Sequence, residues 1–261
     1  MLHETHEKYL SICLYSGITH FLEMFVFAHL VSGILLGLGF CFLTHDRRAI
    51  PLCIVSSLIP DLIDKPLGII FPELVSGRTI FHSLFIVLIV AIIVLIISKN
   101  RYMLYGVAVA CCIFIHQLLD AMWLNKNIWA YPLFGQFPLV TPPDYTGYYL
   151  WIEITTPSEW IFLLVTVVML FKIFSERHGT PKDGSYLWSV TIVLLAGMGI
   201  LMVAASLFGV GNIFFAPTYS QVTTFMTGIL ALAGAAVMWQ WHRLKPCNFF
   251  KNRTLGSGRD Q

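Results

Sequence analysis

From Leu187 to Trp241 the chain carries no Asp, Glu, Lys, Arg or His. A stretch this long without an ionisable side chain cannot cover itself with a water-facing polar surface. It belongs in lipid, where only structures that satisfy every backbone group internally survive, and for a run of this kind that means helices. The rest of the chain follows the same rule. Across 261 residues, 57% are hydrophobic and 11% charged, with a mean hydropathy of +0.77; soluble domains carry about 25% charged residues. The fold class is therefore all-α, a polytopic membrane helical bundle.

Apolar runs place about seven spans. They cover Phe21 to Leu43, Ala49 to Ile63, Thr79 to Ser98, Tyr102 to Leu124, Ser158 to Phe174, Leu187 to Phe208 and Val222 to Trp241. The second run is short against the ~20 residues a span needs. Residues 65 to 77, with Pro66 and Pro72, read as a loop. Gly33, Gly37 and Gly39 in the first span are small enough to admit a neighbouring helix. Residues 125 to 157 form the longest connection. Its Trp129, Tyr131, Tyr145, Tyr148, Tyr149 and Trp151 suit a membrane–water interface. Four segments result: 1–20 as an N-terminal segment, 21–157 as a four-helix membrane domain with its aromatic loop, 158–241 as three additional helices, and 242–261 as a basic tail.

Seven spans put Arg47, Arg48, Lys99, Arg101, Lys172, Arg177, Lys182, Arg243, Lys245, Lys251, Arg253 and Arg259 on one side. Lys8, Lys65, Arg78 and Lys126 fall on the other. Twelve against four is a positive-inside bias. The N-terminus is expected outside, the C-terminus in the cytoplasm, and the protein in the plasma or inner membrane. No cleaved signal peptide is expected. Basic residues confined to short loops exclude a nucleic-acid partner, which needs a basic face. Cys41, Cys53, Cys111 and Cys112 lie in apolar runs and read as small buried hydrophobes, not as a disulfide framework or thiolate metal site.

Against this background the ionisable residues inside the spans stand out, since each is costly in lipid and marks a functional site by default. His116 and Asp120 are four apart and share a helix face. With spans alternating in direction, His29, Asp61, Asp64, His82, His116 and Asp120 all fall in the outer half of the membrane. Three imidazoles and three carboxylates make a ligand set for one or two divalent metal ions, zinc foremost, with manganese or iron as alternatives. Two ions ~3.5–4 Å apart would clamp both oxygens of a phosphoester. Arg78 either meets a phosphate or pairs with a carboxylate. Asp64 or Asp120 could act as general base, Ser83 reads as a helix cap, and Glu153 and Glu159 read mainly as structural.

The ordered set resembles the YdjM-like membrane-bound metal-dependent hydrolases. It consists of His29 in Ala-His-Leu, Pro60-Asp61-Leu62-Ile63-Asp64, Gly77-Arg78-Thr79-Ile80-Phe81-His82-Ser83 and His116-Gln117-Leu118-Leu119-Asp120. Such proteins show an early His, Pro-Asp-x-Asp, His-Arg-Gly-x-Thr-His-Ser and His-x-x-x-Asp. The likeness covers about residues 25 to 140. Here the second aspartate follows at three residues, Lys65 stands where a histidine often follows, and Gly77 replaces the first histidine of the third motif. The resemblance, through a likeness to zinc-dependent phospholipase C and P1-type nucleases, implies phosphoester hydrolysis by metal-activated water. A site at headgroup depth would take a membrane lipid or lipid-linked substrate. The competing class is a transporter or proton pathway through the His/Asp cluster. It would need polar groups continuing toward the cytoplasm, and the sequence lacks them. Oligomeric state is not legible from the chain.

Overall fold

The computed structural model describes residues 26–71, 78–97, 102–134, 147, 150–151, 154–178, 185–210 and 221–244. Among them all regular structure is helical: α1 (Val26–Thr44), α2 (Ala49–Ile70), α3 (Leu84–Ile97), α4 (Met103–Leu119), α5 (Pro157–His178), α6 (Ser185–Leu207) and α7 (Gln221–Leu244). A 3-10 turn, Ile80–His82, precedes α3; another, Met122–Leu124, and one helical turn, Lys126–Trp129, follow α4. By length and composition, four segments suit a membrane crossing: Val26–Thr44, Pro157–Ser175, Tyr186–Leu207 and Gln221–Trp241.

The second apolar run is not short. Its helix continues from Ala49 to Ile70, through Pro60 and Pro66 and through residues read above as loop. At 1.5 Å per residue its 22 residues reach about 33 Å. A proline in a helix interior removes one i→i−4 bond and bends the axis but need not end the helix when neighbours hold both sides. Here α1 and α4 pack along it, the Lys65 ammonium pairs with Asp61 one turn back, and the Phe71 amide closes the last turn on the Leu67 carbonyl at 2.8 Å. The third and fourth runs are shorter than expected. The α3 helix begins only at Leu84, after the 3-10 turn, and α4 stops at Leu119. What stops α4 is Ala121, buried with φ 49°, in the left-handed region that costs an L-residue about 1 kcal/mol or more.

Packing follows the small residues. A Cβ on Gly33 would collide with the Ser57 hydroxyl and lie 2.9 Å from the Cys53 carbonyl; on Gly37 it would lie 2.7 Å from the Ile50 Cα. Both glycines therefore set how closely α1 meets α2. Gly39 faces open space and plays no such part. One apolar core joins α1 and the start of α2 to α5, α6 and α7 through Ile34, Leu38, Phe162, Met169, Trp188, Leu195, Met202 and Met238. Glu159 is buried in it, where its carboxylate accepts the Phe27 amide at 2.9 Å. An anion there complements the open N–H groups and positive dipole end of α1. Large apolar side chains on the outer faces, such as Ile96, Val193 and Phe208, are exposed, as lipid-facing positions require.

Candidate metal centre

Four elements bring their ionisable residues to one end of the bundle. His29 sits near the start of α1, and Asp61, Asp64 and Lys65 in the second half of α2. His82 closes the 3-10 turn before α3, and His116 and Asp120 lie at the end of α4. None of these side chains has an apolar reason to be buried, yet His29, Asp64, His82 and His116 are 0% exposed and Asp120 is 2% exposed. Buried polar groups persist only where something satisfies them.

At the middle stand Asp61, His82, His116 and Asp120, whose ligand-type atoms all lie within 4.8 Å of one another. The two imidazole Nε2 atoms are 3.3 Å apart. His82 Nε2 is 3.4 Å from both Asp61 Oδ1 and Asp120 Oδ2. His116 Nε2 is 3.7 Å from the same two oxygens. The tautomers decide what this means. His116 Nδ1 lies 2.7 Å from the Ser57 carbonyl, which can only accept, so Nδ1 holds the hydrogen and Nε2 of the neutral ring presents a lone pair. His82 Nδ1 lies 2.8 Å from Asp64 Oδ2, so in the neutral ring Nδ1 holds the hydrogen and Nε2 presents a lone pair as well. Two nitrogen lone pairs and two carboxylate oxygens thus converge on one point. A single proton there serves one pair of them; a divalent cation serves all four. Ligand bonds of about 2.0–2.2 Å in a tetrahedron give edges of about 3.3–3.6 Å, close to the separations found. This residue set fits a metal ion.

His29 and Asp64, placed among the ligands on sequence grounds, stand one layer further out. Both Asp64 oxygens are committed. They accept the Thr79 amide and hydroxyl, each at 2.8 Å, the Phe81 and His82 amides, and His82 Nδ1. Asp64 therefore builds the 3-10 turn and aims the His82 ring. His29 Nε2 lies 3.1 Å from Asp120 Oδ1 and its ring stacks on His116 with centroids 3.8 Å apart. It holds Asp120 by the oxygen that faces away from the centre. Arg78 Nη2 lies 3.7 Å from Asp120 Oδ2, the carboxylate partnership rather than a place apart from the site. Outer partners of this kind fix ligand orientation and contribute 10–100-fold to metal affinity.

Two participants escaped the sequence reading. Gln117 is fully buried; its amide donates to the Ser83 carbonyl at 2.8 Å and the Phe81 carbonyl at 3.2 Å, and its oxygen accepts the Trp129 indole N–H at 3.1 Å. It ties the turn carrying His82 to α4 and to the segment beyond it. An uncharged amide inside the apolar run of α4 was the available signal. Lys65, assigned to a loop, is instead inside α2 with its ammonium on Asp61 Oδ2. Ser83, read as a helix cap, donates its hydroxyl back to the Ile80 carbonyl at 2.6 Å. Glu153 and Gly77 lie outside the described residues.

Helices suited to crossing a membrane and a buried His/Asp centre at one end of the bundle define a multi-pass membrane protein with a candidate metal site. The model of the YdjM inner membrane protein family matches residues 24–207. The chain belongs to that family, and it is a multi-pass inner-membrane protein. The match extends past the centre through α5 and α6, further than the motif likeness to residue 140. No curated protein and no solved structure matches it.

Proposed function

We propose that the protein is an integral-membrane metal-dependent hydrolase, acting on a phosphoester of a lipid or lipid-linked substrate. The observation that carries this reading is the convergence of two imidazole lone pairs and two carboxylate oxygens on one buried point. Asp61, His82, His116 and Asp120 would hold the ion, zinc foremost, with manganese or iron as alternatives. A bound divalent ion supplies Lewis-acid polarisation and a nucleophilic water near neutral pH.

The chain's own groups do the rest. Arg78 presents a planar fork suited to phosphate oxygens beside Asp120. Asp61 and Asp120 each turn one oxygen to the centre, with Lys65 on the other oxygen of Asp61 and His29 on the other oxygen of Asp120, and one of the two would take a proton from the attacking water; Asp64 is too heavily bonded for that part. The membrane arrangement belongs to the same proposal: seven spans, an external N-terminus and a cytoplasmic C-terminus, supported by the twelve-to-four distribution of basic residues. That orientation puts the centre at the outer face, where a headgroup reaches it and acyl chains stay in the bilayer.

The test is metal content followed by turnover. Detergent-purified protein, stripped with chelator and reloaded with zinc or manganese, is expected to bind metal and cleave generic phosphoesters or phospholipids, and His116→Ala to do neither. Ion flux through protein-containing liposomes, with no hydrolysis by loaded protein, would move the assignment to a transporter.

A further inference from the structure

The number of ions such a centre can take depends on which carboxylates are able to bridge. A second ion needs a carboxylate that bridges, one oxygen to each metal. Asp61 is the residue placed for that, with Oδ1 toward the imidazoles. Its Oδ2, however, carries the Lys65 ammonium, one helical turn along the same face of α2. Asp64, the other candidate bridge, has both oxygens occupied by Thr79, Phe81 and His82. Among the described residues a single group of donors converges, and it is the one around Asp61.

Charge points the same way. Asp61, Asp64 and Asp120 bring three negative charges; Lys65 and Arg78 bring two positive ones. With neutral imidazoles the sum is −1, which one divalent ion turns to +1 and two ions to +3. Buried net charge is expensive in a medium that screens poorly. One ion leaves a balance that a singly charged phosphodiester neutralises. Asp61, Lys65 and Arg78 are the least buried of the group, at 6%, 8% and 9% exposed against 0–2% for the remaining centre residues.

We propose that the centre takes one divalent ion and that the Lys65 ammonium stands where a second would have to bind. This rests on the metal reading above and adds its stoichiometry. Lys65 is a positioning residue that holds Asp61 in monodentate use and sets the number of ions.

The experiment is a zinc titration of stripped, full-length protein by calorimetry, with zinc counted per chain by elemental analysis after desalting. Wild type is expected to bind one equivalent. Two equivalents in wild type would overturn the proposal while leaving the metal centre intact. No binding at all would overturn the metal reading itself, so the two failures are distinct. Lys65→Met removes the ammonium and frees Asp61 Oδ2: the first ion is expected to bind at least tenfold tighter, and a second equivalent to appear at higher zinc. Lys65→Arg keeps the charge and is expected to stay at one equivalent. An unchanged affinity and stoichiometry in folded Lys65→Met would show that Lys65 does not set the number of ions and defeat the assignment.

Discussion

At the residue scale, the centre separates groups that would touch an ion from groups that aim them. His116 and His29 are stacked and equally buried, yet only His116 has its Nε2 directed at the shared point. Their substitutions should therefore differ in size. His116→Ala is expected to abolish zinc binding in a calorimetric titration. His29→Phe keeps the ring stacked on His116 but loses the bond to Asp120, and should weaken binding by roughly tenfold, as outer partners do. Equal losses would return His29 to the ligand set. Asp64→Asn is the sharper structural probe. The amide nitrogen would point at N–H groups of the Thr79–His82 turn, so a loss of 10–100-fold in zinc affinity is expected together with a lower melting temperature. An affinity indistinguishable from wild type would show that Asp64 does not orient His82.

At the scale of elements, two contacts carry the geometry. The α1–α2 approach depends on Gly33 and Gly37, where a Cβ has no room, while Gly39 faces open space. Gly33→Ala and Gly37→Ala are expected to destabilise the protein by about 1–3 kcal/mol, the range for forced overpacking, and to weaken zinc binding by shifting His29 against Asp61. Gly39→Ala should be neutral within about 0.5 kcal/mol. Thermal unfolding in detergent checks all three; a Gly33→Ala protein as stable as wild type would show that the helices separate freely. The second contact is Gln117, which joins the His82 turn to α4 and Trp129. Gln117→Leu strands the Phe81 and Ser83 carbonyls and the Trp129 indole. It should lower both the melting temperature and zinc affinity, whereas loss at Trp129→Phe is limited to one bond.

At the scale of the whole molecule, a ligand that binds only the folded chain stabilises it by mass action. Zinc at 100 times its dissociation constant should add about 2.7 kcal/mol to stripped wild type and nothing to His116→Ala. Topology is open to direct measurement. Impermeant thiol labelling of single-cysteine variants should mark a cysteine introduced at Lys126 from outside the cell and one introduced at Lys182 only after lysis. The reverse pattern would invert the proposed orientation and put the centre on the cytoplasmic face.

The sequence by itself determined the all-helical, membrane-embedded class. An uncharged stretch as long as Leu187 to Trp241 has no soluble solution, and lipid leaves the backbone little choice. It also marked the residues that gather at the centre, because every ionisable group in lipid needs a partner and alternating helix directions bring these to one end. Tertiary structure alone decided their roles. Asp61 and Asp64 are three residues apart and chemically identical; one faces the imidazoles because the other is captured by the amides of a turn fifteen residues away. The sequence places Lys65 in a loop because Pro66 and Pro72 follow it closely. Inside the bundle, α2 continues through Pro60 and Pro66 against α1 and α4, and the Lys65 ammonium reaches Asp61. Nothing local encodes either outcome, since both depend on which backbone donors and charges other elements carry to the same place.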